Sequence, residues 1–530
     1  MNREIAVFDS TLRDGAQGES VSFSVSDKLK IVEILDDLGV AYIEAGNPGS
    51  NPKDMEFFSR VSGLRLKNAR LAAFGSTRRS GKTAAEDENV RSMLRAETPV
   101  AVIFGKGWDF HVTKVLKTTL EENLNMIRDT VAFFKKEGRE VIFDAEHFFD
   151  GARANEEYAF QTLRAAAEGG ADGLVLCDTN GGSYPFEIFE LTKKAVGRFA
   201  VPIGIHCHND DGMAVANSVM AVEAGASHIQ GTLTGIGERC GNANLSSLIP
   251  TLQLKRSYSC IPGECLRRLT EAARLVAELA NMPLPSSMPY VGLSAFAHKG
   301  GMHIDGVLKD TRTFEHVEPK SVGNERRFLM SEVSGRSTVL AKIRKICPDL
   351  DKESPEAKEI IDLLKDMEHK GYQYEGAEPS FELLVRRHLG KYKPFFDLEK
   401  STIIEDLTSR NGGRSSLATI VVNVEGERRI SAAEGDGPVN ALDCALRRAL
   451  ETFYPELGRV HLTDYKVRVL NPEEATAARV RVWIESTDGT DVWTTVGVST
   501  DILEASGRAL TDAIEYKLLK TIERKFKPFI

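Results

Sequence analysis

His206, Cys207 and His208 combine residue types and a spacing that suit metal chemistry. At the end of a β-strand, residues i and i+2 point to one face. The two imidazoles would then project together, about 6.6 Å apart along the strand, with Cys207 turned away. Imidazoles so placed can converge on one divalent ion. Arg13-Asp14-Gly15 closes another strand-like run and brings a guanidinium and a carboxylate to a strand end. The Gly-rich turn GIGERCGN (235–242) presents Asn242. Asp14, His206, His208 and Asn242 offer two oxygen and two nitrogen ligands. That set suits Zn²⁺, Mn²⁺ or Co²⁺ with positions left open for substrate. The chain has no Cys-x-x-Cys, which argues against an all-thiolate structural zinc.

Such residues need a scaffold that gathers strand ends. Eight short runs rich in β-branched residues fall at 5–11, 41–46, 70–75, 100–105, 140–147, 173–179, 202–209 and 228–235. Several are apolar almost throughout, as expected of strands covered on both faces. Helical patterns lie between them. Residues 26–38 place Leu29, Val32 and Leu35 at helical spacing, with Ser24 or Ser26 as N-cap. Residues 120–136 and 156–168 behave alike. Eight βα units in about 250 residues specify an α/β fold, a closed (β/α)₈ TIM barrel, better than a doubly wound sheet. In such a barrel the functional residues sit at the C-terminal ends of the strands.

The pattern breaks at PLPSSMP (283–289). We expect a catalytic barrel over 1–285, helical linker subdomains over 286–410 and an α+β end over 411–530, with NGGRS (411–415) as the boundary. That end is internally duplicated. ATIVVNVE (418–425) resembles ARVRVWIE (478–485), 60 residues on, and the helical pattern at 441–450 resembles that at 505–514, 64 residues on. The expectation is two ββα-type repeats, the second with a longer hairpin near 488–491.

The chain has 530 residues, of which 42% are hydrophobic and 27% charged, with a net charge of −9. That balance argues against a nucleic-acid binder relying on a broad basic face. No apolar run approaches the roughly 18 residues of a membrane span. The start, MNREIAVFDSTLRDG, lacks a signal peptide's apolar region. Seven Cys in so long a chain make no disulfide framework, and the expectation is a cytoplasmic protein.

FDSTLRDGAQ (8–17), IEAG (43–46), HCHNDDGMAVAN (206–217) and GTLTGIGERCGNANL (231–245) resemble the DRE-TIM metallolyase superfamily. Within it the chain resembles the acyl-CoA-condensing branch of 2-isopropylmalate, homocitrate and citramalate synthases. AEHFFDG (145–151), CDTNGG (177–182), HKGGMHIDGV (298–307) and EGDGPVNALDCALR (434–447) extend the likeness over almost the whole chain. GKGWDFHV (105–112) and VGNERRFLMSEVSGRS (322–337) are most like the long citramalate synthases.

The resemblance implies an acyltransferase. It would join acetyl-CoA to a 2-keto acid, pyruvate for a citramalate synthase of isoleucine biosynthesis, and then hydrolyse the thioester. It implies a divalent metal (Zn, Mn, Mg or Co) on Asp14, His206, His208 and Asn242, chelating the keto acid. Arg13 would support the developing alkoxide, and Glu44 would orient Arg13. Glu146 would handle protons near the acetyl group, its pKa raised if buried. Thr179 would bind the keto-acid carboxylate. His303, in a Gly-rich loop, would serve the partner of a homodimer. Phe74, Phe104 and Trp108 are expected to shrink the keto-acid pocket. Cys177, Cys207 and Cys240 read as small fillers, and His111 and His147 have no role. The duplicated end would bind isoleucine, or leucine, as an allosteric effector. Its side chain would lie in an apolar pocket between the repeats and its carboxylate on the Gly-rich turns 434–437 and 497–500. The alternatives are an isopropylmalate or homocitrate synthase, an acyl-CoA or keto-acid lyase on the same barrel, and a sensor whose barrel has lost activity.

Overall fold

The computed structural model describes residues 3–61, 63–329, 343–344, 346–348, 350, 354–405, 416–470 and 477–526. Within it the chain forms two compact units. The first, residues 1–297 with 315–327, is a closed eight-stranded parallel barrel. Its strands are β1 (Ala6–Asp9), β2 (Tyr42–Glu44), β3 (Arg70–Ser76), β4 (Val100–Lys106), β5 (Glu140–Glu146), β6 (Gly173–Asp178), β7 (Ile203–Cys207) and β8 (His228–Gly231). They pair in sequence order, and β1 closes on β8 with Ala6 opposite His228. The expected (β/α)₈ barrel is present. Each strand lies within its expected run or one residue past it.

Strand periodicity divides the side chains into two sets. Phe8, Ala72, Val100, Val102, Ile142, Val175 and Cys177 fill the lumen. The other faces pack beneath the helices, with Val7, Ile43, Ala73, Ile103, Phe143 and Leu176 in one large core. The helix Val25–Leu38 starts at Ser24 rather than Ser26. Ser24 forms a reciprocal capping box with Asp27. The helix expected over 156–168 runs over Phe148–Gly169. It is broken at Asn155 (φ −154°, ψ 83°), and that break hides its first two turns from the periodicity.

The second unit comprises residues 298–314 and 328–530. It holds the helices Gly301–Lys309, Pro355–His369 and Glu378–His388, followed by a duplicated α+β end. Residues 286–410, expected as linker subdomains, divide between the two units. Each repeat is βββα rather than ββα. The first has β9 (Asp397–Glu405), β10 (Ser416–Val424), β11 (Glu427–Gly435) and the helix Pro438–Leu450. The second has β12 (His461–Val469), β13 (Val480–Thr487), β14 (Val492–Ser499) and the helix Ile502–Phe526. Each set of three strands forms an antiparallel sheet. The missed strands, β9 and β12, are largely exposed and bury no continuous apolar face. The first sheet therefore begins before the expected boundary at 411. NGGRS (411–415) itself lies outside the described residues.

Gly497, expected in a turn, lies inside β14. A Cβ there would meet the Ala505 carbonyl oxygen at 1.9 Å, so only glycine lets the last helix lie against the strand. Gly435 plays the same part at the end of β11, where a Cβ would sit 2.5 Å from the Ala441 nitrogen. Gly497→Val should lower the urea midpoint followed by tryptophan fluorescence, by about 2–3 kcal/mol of stability. Gly437→Ala, with open space around it and extended backbone, should change little.

Candidate functional site: a metal-binding cluster in the barrel mouth

The mouth is assembled from the turns that follow the strands. Arg13 and Asp14 leave β1 in a turn held by Ser10, whose hydroxyl donates to Glu44 Oε2 at the end of β2 (2.5 Å). Arg13 Nε donates to the same Glu44 oxygen (2.6 Å) and Nη1 to Asp14 Oδ2 (3.0 Å). The face of Phe74 on β3 lies 3.8 Å below the guanidinium. Packing, charge and hydrogen bonds thus fix the fork. β7 delivers His206, and His208 follows one step on, bridged through its backbone to Asn242.

Asp14, His206 and His208 place ligand atoms within 4.8 Å of one another. Among the described residues they are the only such group of three His, Cys, Asp or Glu. Asp14 Oδ2 lies 3.4 Å from His206 Nε2 and 3.7 Å from His208 Nε2. Bonds of about 2.1 Å at tetrahedral angles place ligand atoms about 3.4 Å apart, so the spacing fits a shared cation. Asp14 Oδ1 and Asn242 Oδ1 are buried with no hydrogen-bond partner, a cost that a bound cation would remove. The Asn242 amide nitrogen faces Asp14 Oδ2 and His206 Nε2, both at 3.2 Å. A half-turn of the amide sets its oxygen there instead.

Burial and neighbouring charge prepare the ligands. Burial alone would raise the Asp14 carboxyl, but Arg13 and the two imidazoles hold it far below the usual carboxylate range. Burial, with His206 nearby, pushes His208 down to about 4, which leaves it neutral. Burial lowers His206 too, but its hydrogen bond and charge contact with Asp14 outweigh that and raise it.

One chain of contacts was not legible in the sequence. His206 Nδ1 lies 2.9 Å from Gln230 Oε1, and Gln230 Nε2 donates to Asp144 Oδ1 (3.1 Å). An amide oxygen only accepts, so Nδ1 carries the proton and Nε2 is left to bind metal. Burial, with the Glu44 charge, raises Asp144 to about 7. Gln230 and Asp144 stand inside predicted strands, just before the motifs at 231–245 and 145–151, and the closed barrel brings both to His206 in the lumen.

A cavity of about 270 Å³ opens onto the cluster, lined by Arg13, Asp14, Phe74, Phe104, Asp144, Glu146, Cys177, Thr179, His206 and His208 among others. Phe74 and Phe104 stack at 5.0 Å and wall one side. Trp108 instead packs on His111, outside that wall. Burial pushes the Cys177 and Cys207 thiols well up, which suits fillers rather than nucleophiles.

Glu146 is not fully buried; it is 24% exposed and ion-paired with Lys106. Thr179 Oγ1 accepts from the His147 N–H (2.8 Å). His147 takes a left-handed conformation (φ 57°, ψ 35°) to turn the chain from β5 into the next helix. His303 belongs to the second unit. It lies in the first turn of the helix Gly301–Lys309 rather than in a loop, is exposed, and stacks on Phe314 at 4.0 Å.

Residues 4–276 match the HMGL-like family, 290–372 the homocitrate synthase post-HMGL domain-like family, and 375–518 the LeuA allosteric (dimerisation) domain. An (R)-citramalate synthase of Aquifex aeolicus is 54% identical over 99% of both chains. The chain belongs to the citramalate synthase family. Another (R)-citramalate synthase, of Geobacter sulfurreducens, is 50% identical over 98% of both chains. A probable 2-isopropylmalate synthase of Methanopyrus kandleri is 33% identical over 97% of this chain and 98% of its own. Citramalate synthases of this length thus share both the barrel and the duplicated end. HMGL-like barrels of this family depend on a divalent metal, and the trio at the mouth is a candidate site for it. Among the described residues no helix is long and apolar enough to cross a membrane.

Gln230→Leu should weaken divalent metal binding about 10–100-fold. Metal content after dialysis against graded chelator would show the change, with the thermal midpoint of the metal-free protein near that of the wild type.

Proposed function

We propose that the chain condenses acetyl-CoA with pyruvate and hydrolyses the thioester, forming (R)-citramalate and CoA, in isoleucine biosynthesis. The observation that carries this reading is a shared cavity. The Asp14–His206–His208 trio with Arg13, suited to a keto acid, and Glu146, suited to proton transfer, line the same space. The names of the full-length relatives support it.

A divalent ion on Asp14, His206, His208 and Asn242 would supply Lewis-acid polarisation of the keto oxygen. The chain's own groups do the rest. Arg13 spends Nε on Glu44 and Nη1 on Asp14, which leaves Nη2 to donate to the keto oxygen as charge grows there. Glu44 fixes the fork. Thr179, its oxygen committed to the His147 N–H, turns its hydroxyl proton to the keto-acid carboxylate. Gln230 and Asp144 hold the His206 tautomer. Glu146 accepts the acetyl proton. In a homodimer, His303 would act at the neighbouring subunit's site.

Pyruvate is favoured by size. The stacked Phe74 and Phe104 wall the cavity beside the trio, and bulk there would favour a methyl over an isopropyl group. Thiol release with a keto-acid panel tests both reaction class and substrate. Pyruvate should exceed 2-ketoisovalerate by about 10–200-fold in kcat/KM, and Phe74→Ala should narrow that gap. A higher rate with 2-ketoisovalerate would make the enzyme an isopropylmalate synthase.

We assign an effector role to the duplicated end. Two cavities, of about 560 and 590 Å³, lie where the repeats meet. Leu398, Ser401 and Leu503 line the first; Leu462, Tyr465 and Val439, each 64 residues away, line the second. Both combine apolar walls with both signs of charge, Arg508 and Asp512 in one, Arg447 and Asp443 in the other. That suits a zwitterion with an aliphatic side chain. Gly497 has no part in holding its carboxylate, because it packs against the last helix. Isoleucine should inhibit at millimolar concentration, and leucine less, through a coupling of about 1–3 kcal/mol. Initial rates with and without each amino acid check this.

A further inference from the structure

Lys106 forms a charged pair with Glu146 and has no part in the chemistry described so far. They end β4 and β5 and are direct register partners there. The Lys106 ammonium binds Glu146 Oε2. Strand alternation sets Lys106 on the face of Val100 and Val102 in the lumen and of Phe104 in the cavity wall. It sets Glu146 on the face of Ile142 and Asp144. Both side chains therefore aim into the barrel mouth, 15% and 24% exposed.

The backbone around the pair is fixed from several sides. Asn123 Nδ2 donates to the Lys106 carbonyl (3.0 Å), and the Gly107 N–H donates to the Glu146 carbonyl (2.8 Å). Gly151 lies so close that a Cβ on it would meet the Gly107 oxygen at 2.3 Å. The sequence GKGWDFHV is thus clamped onto AEHFFDG, and what the clamp positions is this ion pair. Arg13, which lines the cavity, is already divided between Glu44 and Asp14, while Lys106 reaches the cavity edge through Glu146. A Lys ammonium has three protons, and Glu146 takes one.

We infer that Lys106 is the hydrogen-bond donor to the thioester oxygen of acetyl-CoA while Glu146 removes the acetyl proton. The inference rests on the condensation proposed above. The Glu146 carboxylate takes a proton from the acetyl methyl group. The C–H electron pair becomes the carbon–carbon double bond of the enolate, and the thioester carbonyl pair moves onto oxygen. Lys106 keeps its proton and shifts one hydrogen bond from Glu146, now a neutral acid, to that oxygen. An ammonium–carboxylate pair becomes an ammonium–enolate pair, so no net charge is created in a poorly hydrated pocket. The enolate carbon then attacks the keto carbon, whose carbonyl pair becomes the alkoxide beside Arg13.

The test compares full-length wild type, Lys106→Met and Lys106→Arg by thiol release with pyruvate, using acetyl-CoA and its trideuteriomethyl form. Loss of an oxyanion donor costs about 100-fold or more in kcat. The Met variant should show that loss, with KM for pyruvate within about threefold of wild type. Its deuterium isotope effect on kcat should rise as proton abstraction becomes the slowest step, and the Arg variant should recover at least about tenfold. If the Met variant does not fold, Lys106→Gln, which keeps a neutral donor, is held to the same isotope-effect criterion. A kcat within about threefold of wild type overturns the inference. So does a loss with an unchanged isotope effect that Arg does not repair, the mark of a merely structural pair. Wild type that releases no thiol with pyruvate or any other keto acid removes the condensation reading, and this inference with it. An active wild type beside an unimpaired Met variant removes this inference alone.

Discussion

The barrel mouth depends on the Arg13 guanidinium, set between Glu44 and Asp14 and seated on Phe74. Glu44 is fully buried and Asp14 nearly so. Two carboxylates so placed are costly unless compensated, and removing one member of a buried ionic group typically costs about 3–5 kcal/mol. The expense has a chemical return. Asp14 stays ionised, and Arg13 is held in one orientation before any substrate arrives.

The same logic runs outward. His206 keeps one tautomer because Gln230 accepts its proton, and Gln230 is oriented because Asp144 accepts from its amide. Each of these groups is set by a partner on another strand, the neighbouring one for His206 and one across the lumen for Gln230. The closed sheet is thus a device for aiming side chains, with strand ends as mounts.

Much of this was legible because a strand covered on both faces must be apolar. The eight runs therefore stood out, and strand alternation explained why His206 and His208 converge. The remainder was hidden for physical reasons. β9 lacks the alternation of a strand, and β12 alternates Tyr465, Val467 and Val469 with charged residues on a face that stays exposed. Gln230 and Asp144 give no signal of their own, because their meaning depends on neighbours distant in sequence. The expectation for Glu146 left out Lys106 at the neighbouring strand's end. Glycines were read as turns at 497, where the constraint is a helix lying on a strand. His303 was placed in a loop because two glycines precede it, although the second of them starts a helix.

The two units each enclose their own hydrophobic core, one around the barrel and others within the duplicated end and its flanking helices. A chain with separate cores has no single melting point. Calorimetry would resolve more than one heat-absorption peak, and a ligand would move most the peak of the unit that holds it. A divalent ion and an amino acid could then be assigned to their binding units from the heat trace alone, without any measurement of turnover.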